Sequence, residues 1–483
     1  MTPRHDPAGR RLPIKLDATS NGEYQPVPLT ALGRAARAAA RASVDEAARK
    51  LGMPRRRYLV SLLGAAATLS AFDRAFAAAG TRGGRYVVPP EGRFEPAAAE
   101  SKLAGDEFIF DVQLHHVDPK GAWRRRSGGE WLRGMPKAAC GKPDFIECLS
   151  AAEMLKDVFL DSDTAMGVLS HVPGGADVNP LDFEAAGATR AAVNALDGTE
   201  RLLLHGRVMP TLPGELETMD AQKAKYPLVA FKTYTQFGPA DGPEGFYLDD
   251  ERHGLPFIER ARKLGVRNIC VHKGLPFGQR GYAYSTCRDI GVVARRYPDM
   301  NFLVYHSGFD PGVPEGPYNP QAKAGVDALI ASVEQHGARS NVFPELGSTW
   351  RYLMREPDQA AHVLGKLLRT FGDGNILWGT DSIWYGSPQD QIQAFRAFEI
   401  SAAFQEKYGY SALTPERKRK IFGLNAARVY NLKPEAMRAK LARDRVQKAK
   451  DDYRNDPDPS FLTYGPRTRR EFLILRLHST DPV

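Results

Sequence analysis

The sequence predicts a (β/α)₈ TIM barrel, an α/β fold, and three observations carry that expectation. From residue 106 onward, short β-branched or aromatic runs alternate with helical stretches, the pattern of a parallel sheet with crossover helices. Eight such runs follow one another over about 280 residues, the usual span of a closed barrel. No Gly-rich phosphate loop follows the first run, which argues against a doubly wound open sheet.

A basic leader, residues 1–80, comes first. Residues 1–79 hold 13 Lys and Arg against 6 Asp and Glu, a surplus of 7 within a net charge of +9. The rest is close to neutral, which removes the electrostatic case for a nucleic-acid enzyme. Residues 1–30 are rich in Pro, Gly and polar side chains and are expected to be disordered. Arg55-Arg56-Arg57-Tyr58-Leu59-Val60 then opens an apolar run that closes at Ala75-Phe76-Ala77-Ala78-Ala79. Paired arginines, an aromatic-Leu pair and an A-x-A-like end resemble a twin-arginine signal, which implies a periplasmic protein. The alternative is a helical hairpin in a cytoplasmic protein. Ser43 to Gly52, followed by Pro54, reads as a capped helix ended by Gly, and Asp73 and Arg74 interrupt the apolar region. The run is too short and too rich in Gly and Ala for a stable membrane anchor.

The expected strands are Phe108–Val112, Thr164–His171, Leu202–Met209, Leu228–Thr235, Asn268–His272, Phe302–His306, Asn341–Leu346 and Ile376–Asp381. Helix candidates between them include Phe257–Leu264, Asp289–Tyr297 and Ala360–Phe371. His115 lies three residues past the first strand, and His272, His306 and Asp381 each end one. In a barrel all C-terminal strand ends face one mouth, so three imidazoles and a carboxylate converge there. That is a donor set for zinc or a similar divalent ion. Lys232 ends the fourth strand and Glu345 the seventh, at the same mouth. Lys273 should point out of the barrel, because alternate strand residues face opposite sides.

Lys120 to Asp161 form a long insertion after the first strand, read either as a lid or oligomer contact or as a solvated surface loop. Its Trp123, Trp131 and Arg124–Arg126 are candidates to meet an anionic substrate. Four cysteines are too few for a disulfide scaffold, so Cys140 and Cys148 are expected as isolated thiols, with pairing in an oxidising compartment as the alternative. Residues 433–483 read as a charged helix and a Pro-containing tail. There, Phe472–Leu477 packs onto a partner subunit of a homo-oligomer or back onto its own barrel.

Within residues 106–432 five segments, in order, resemble the amidohydrolase-related family that contains aminocarboxymuconate semialdehyde decarboxylase. Phe110-Asp-Val-Gln-Leu-His-His-Val-Asp-Pro119 is similar to its opening D-x-H-x-H element. Val271-His-Lys-Gly274, Tyr305-His-Ser-Gly308 and Trp378-Gly-Thr-Asp-Ser382 resemble its fifth-, sixth- and eighth-strand motifs. Lys420-Ile-Phe-Gly-Leu-Asn-Ala-Ala-Arg-Val-Tyr430 resembles its C-terminal helix. The resemblance implies one divalent ion, Zn or else Mn, held by His115, His272 and Asp381. His306 would be the general base and Asp381 would also move protons. It makes Lys232 a substrate contact, a structural ion-pair partner or, as in distant members, a carboxylated bridge. Glu345 pairs with Lys232 or with substrate. One position departs: Gln113 stands where the pattern has its first histidine. A neutral amide oxygen is a poor zinc donor, so Gln113 either thins the metal site or touches substrate.

The expected activity is metal-dependent hydrolysis of a C–O or C–N bond in a small cyclic or aromatic substrate. The alternatives are non-oxidative decarboxylation of an aromatic or semialdehyde acid, which a guanidinium or several basic groups over the mouth would favour, and a catalytically weakened barrel with a binding role. The barrel itself decides none of these.

Overall fold

The computed structural model describes the chain except for residues 1–10, 17–25, 128, 176, 198–199, 240, 277–280, 460–468, 471–472 and 474–483. Its strands, in order, are β1 (Gly84–Tyr86), β2 (Ile109–Leu114), β3 (Thr164–Leu169), β4 (Leu202–Arg207), β5 (Leu228–Tyr234), β6 (Asn268–His272), β7 (Asn301–Tyr305), β8 (Val342–Pro344) and β9 (Phe398–Ile400). Strands β2 to β8 form one parallel sheet in sequence order, as short strands joined by crossover helices do. The helices Gly254–Lys263, Ile290–Arg296 and Pro357–Phe371 coincide with the three sequence candidates to within three residues at either end.

The eighth expected strand closes the barrel without forming a continuous ladder. Leu377 N–H donates to Pro344 O at 2.9 Å on one side, and Val112 N–H donates to Trp378 O at 3.1 Å on the other. Isolated bridges join Glu345 to Leu377 and Leu114 to Ser382. The ladder is interrupted because the Asp111 side chain takes the Thr380 N–H, at 3.1 Å, and the Thr380 hydroxyl. The C-terminal motif helix is tied in by Asn425, whose amide donates to Asp373 O and Ile376 O at 2.8 Å each.

Ahead of the barrel stands a helical layer of α1 (Ala31–Lys50), α2 (Arg55–Leu59) and α3 (Leu62–Ala78). Thr30 caps α1, its hydroxyl accepting from Gly33 N–H at 3.0 Å. Ala36, Ala40, Val44 and Ala47 recur at helical spacing and are fully buried, so α1 lies close along α3. The segment read as a signal is part of this layer. Arg55 pairs with Asp45 and Arg56 with Asp458. Asp73 accepts the Tyr86 N–H at 2.8 Å and ties α3 to β1, which pairs antiparallel with β9. No helix among the described residues is long and apolar enough to cross a membrane.

Residues 11–16 overturn part of the expected disorder. Leu12, Ile14 and Leu16 are buried, and Lys15 N–H and Nζ reach Asp390 Oδ2 and Ser387 O at 3.1 and 2.8 Å. Apolar residues at alternate positions give a short extended segment one burying face, which outweighs its polar flanks. Of the apolar tail Phe472–Leu477, all but Leu473 lies outside the described residues.

The thiol expectation is also corrected: Cys140 and Cys148 form a disulfide within the insertion. Eight residues apart, they are brought together by consecutive tight turns, which spacing alone does not reveal. The insertion is anchored at the mouth, where Lys137 N–H donates to Trp384 O at 2.9 Å and Lys137 Nζ lies 2.8 Å from both Glu153 and Asp157. Trp123 is buried within it, while Arg124 and Arg126 pair with Asp144 and Asp177 at 2.6 Å each. Trp123 is thus packed inside the insertion and Arg124 paired within it, whereas Arg126 reaches Asp177 beyond it and Arg125 is exposed.

Candidate active site at the barrel mouth

The residues singled out by position meet at the C-terminal ends of the barrel strands. His115, just past β2, lies 3.2 Å from Asp381, Nε2 to Oδ1. His272 ends β6 and His306 follows β7, with His306 Nε2 3.2 Å from His272 Nδ1. Gln113, on β2, joins these pairs: its amide N–H donates to Asp381 Oδ1 at 3.0 Å and lies 3.5 Å from Nε2 of both His115 and His306. All five residues are buried. Trp384 stacks on His115 at 5.2 Å and 19° and covers one side.

Each imidazole has its outer nitrogen on a backbone carbonyl. His115 Nδ1 donates to Ser170 O at 3.1 Å, His306 Nδ1 to Gly347 O at 2.7 Å and His272 Nε2 to Leu275 O at 3.3 Å. With the proton so placed, the inner nitrogens of the neutral His272 and His306 rings are lone pairs. His306 Nε2 then faces another acceptor on His272, an arrangement that a proton or a cation between them relieves. His115 Nε2 lies within hydrogen-bond reach of Asp381 Oδ1.

The electrostatics agree. Burial alone pushes the Asp381 carboxyl up, but the hydrogen bond and charge of His115, with His306 and Ser348, hold it below the usual carboxylate range. Burial pushes His306 down to about 4, partly opposed by Asp381, and His272 well below the imidazole range, with the His306 and Lys232 charges adding to the effect. Burial raises Glu345 to about 8, although the His306 and Gly347 N–H groups, at 3.0 and 2.6 Å, favour its ionised form. Lys232 Nζ stands 3.6 Å from the Tyr305 ring centroid and 4.7 Å from that of Tyr234.

The expected metal triad is divided: His115 and Asp381 form one pair, and His272 forms the other with His306. Among the described residues no three His, Cys, Asp or Glu side chains stand as a ready metal cage. The amide of Gln113 lies between the pairs and supplies N–H donors where a cation would supply charge. The donor chemistry nonetheless fits a divalent ion. Three imidazoles with outer N–H groups fixed by carbonyls, and an ionised carboxylate beside them, are what such an ion requires of its ligands. Lys273, as expected, points away, its Nζ 2.9 Å from Asp289.

Sequence reading missed Ser348 as a site residue. Its hydroxyl donates to Asp381 Oδ2 and lies 2.9 Å from the Tyr385 hydroxyl. The Gly-Ser pair directly after the seventh strand was the available signal. Gly347 permits close approach, since a Cβ there would lie 2.2 Å from Gln113 Oε1. Four residues around the centre have positive φ without being glycine: His306 (64°), Ser307 (53°), Ser348 (53°) and Asp381 (58°). Such backbone costs on the order of 1–3 kcal/mol per residue and persists where the surroundings enforce it. An open cleft of about 420 Å³ lies elsewhere, on the flank between Lys15, Ser61, Asp161, Asp390 and Lys450, and includes none of these residues.

The family model described as amidohydrolase matches residues 152–432. No curated protein is similar in sequence. Among solved structures, the chain is similar to 5-carboxyvanillate decarboxylase from Novosphingobium aromaticivorans complexed with manganese and 4-hydroxy-3-methoxy-5-nitrobenzoic acid. That likeness has 14% identity and a TM-score of 0.43, covering 68% of this chain and 96% of that one. A probable 2-pyrone-4,6-dicarboxylic acid hydrolase from Acinetobacter baumannii matches at 11% identity and TM-score 0.41, covering 67% and 100%. An amidohydrolase from Burkholderia multivorans with bound zinc matches at 16% identity and TM-score 0.39, covering 68% and 100%. Likeness of this extent says nothing of a shared activity.

Proposed function

The chain belongs to the amidohydrolase family, and on that premise we propose that it is a hydrolase cleaving a C–O or C–N bond in a small cyclic or aromatic substrate. The observation that carries this reading is the gathering of three anchored imidazoles and a buried carboxylate at the barrel mouth, His115 paired with Asp381 and His306 with His272. Hydrolysis needs a water, a group to take its proton and a group to return one to the leaving atom. His306 has a single unprotonated nitrogen, Nε2, because Nδ1–H is held by Gly347, so the proton lost by water goes there. The water oxygen adds to the substrate carbonyl carbon. As the C–O or C–N bond breaks, His306 returns the proton to the departing oxygen or nitrogen. Asp381 Oδ1, beside His115, orients the water by accepting its second O–H. His115, His272 and Asp381 are the residues to hold a divalent ion, which when bound supplies Lewis acidity that lowers the pKa of a water toward about 7.

The test is an NMR-followed screen of lactones, amides and aromatic acids with metal-analysed protein. Ring opening or amide cleavage without release of CO₂ is expected. Release of CO₂ from an aromatic acid, with lactones and amides untouched, would replace this reading with the decarboxylase.

A further inference from the structure

Beyond the histidines and carboxylates, one pair of hydroxyls reaches the same centre. Ser348 stands between Gly347 and the helix Thr349–Leu353, with φ 53° and ψ −35°, a backbone that serine rarely adopts. It is completely buried. A carboxylate only accepts, so the single Ser348 proton goes to Asp381 Oδ2. Tyr385, 2.9 Å from Ser348 Oγ, must then donate its own proton to Ser348. The far end is held as well: the Arg351 guanidinium lies 5.5 Å from the Tyr385 ring, and Arg351 donates to Asp390 at 2.8 Å. The two Asp381 oxygens therefore have separate surroundings. Oδ2 is occupied by the hydroxyl pair, and Oδ1 meets Gln113 and His115 at 3.0 and 3.2 Å.

We infer that Ser348 and Tyr385 are positioning residues that, by occupying Oδ2, aim Oδ1 of Asp381 at the imidazole cluster and thereby set the affinity of the centre for a divalent cation. The inference rests on the metal-assisted reading of the site. A role in folding and a role in positioning are separable at residue 348, because glycine adopts the left-handed backbone without strain. Ser348→Gly thus removes the hydroxyl while relieving the backbone. A structural role predicts an unchanged centre; a positioning role predicts a weakened centre in a protein that is no less stable.

The experiment is titration of the metal-stripped full chain with Co(II), in competition with a chromophoric chelator, alongside thermal unfolding. The unaltered chain is expected to bind Co(II). Ser348→Gly should bind it about 10–100-fold more weakly, the usual effect of losing a hydrogen-bond partner of a ligand, with no fall in Tm. Tyr385→Phe should weaken binding less, because the Ser348 proton still reaches Asp381. Affinity in Ser348→Gly within about twofold of the unaltered chain overturns the inference and leaves the metal-assisted reading standing. An unaltered chain that binds no Co(II) overturns that reading, and the inference with it. Should Ser348→Gly fail to fold, Tyr385→Phe decides: weaker binding supports the relay, and unchanged binding overturns it.

Discussion

In the helical layer of α1–α3, packing mostly follows local rules. Small side chains recur at helical spacing and are buried, Thr30 caps its helix, and positive φ within residues 26–103 is confined to Gly52 and Gly80. At the strand ends the rules are broken together. Imidazole lone pairs face acceptors, carboxylates are fully buried, and His306, Ser307, Ser348 and Asp381 adopt left-handed backbone. A region that is only scaffold can relax each residue independently, so local satisfaction is the rule there. A region that must present several polar groups to one point cannot, and its strain is held by the surrounding barrel. Substitutions in the first region should therefore change stability alone, and those in the second should change chemistry out of proportion to stability.

The largest effect should come from Asp381. Asp381→Ala removes the carboxylate between Gln113, His115 and Ser348, so both bound metal and turnover should be lost. Undiminished metal content in this variant, measured by elemental analysis, would break the comparison at its centre. His306→Asn should lower turnover by about 10²–10⁴-fold, the range for general acid–base catalysis, and leave metal content nearly whole. Loss of metal would instead make His306 a ligand.

Phe72→Ala tests the other region. Phe72 is completely buried in α3, and its truncation should cost about 3–5 kcal/mol in chemical denaturation. Turnover per folded molecule should not change. An altered kcat at a temperature where the variant is fully folded would show that the helical layer is more than scaffold. Gln113→His restores an imidazole where the amide now joins the two pairs, and should tighten metal binding at least about tenfold. Unchanged affinity with lost activity would mark Gln113 as a substrate contact.

A further effect concerns pH. Burial, with Lys102 nearby, lowers the Lys418 ammonium in the outer layer to about 7 from an ordinary 10.5, and its Nζ donates to Arg396 O at 2.6 Å. Between those values the unfolded chain binds the extra proton, so stability should rise as pH increases from about 7 toward 10.5. Lys418→Met should flatten that part of the stability–pH curve, as read by denaturant unfolding at several pH values. A slope identical in the two proteins would remove Lys418 from the account.

The barrel, its strand order and the four convergent groups were legible in the sequence, because parallel strands alternating with helices carry a strong local period and place their C-terminal ends together. His115, His272, His306 and Asp381 needed only that rule. The sequence left two readings of the apolar run after Arg55, since an export signal and a packed helix share the same composition; burial of Leu63, Leu69 and Phe72 against α1 and the barrel is a tertiary fact. Residues 11–16 could not be read as ordered, because six residues contain no period long enough to announce a docking site. The pairing of Cys140 with Cys148, the Ser348 hydroxyl on Asp381 and the division of the donors into two pairs depend on distances between segments far apart in the chain or on turns with no fixed signature. Local sequence determines which residues stand at the mouth. Only the closed barrel decides which way each proton points, because a side chain's hydrogen-bond direction is set by neighbours that sequence order does not name.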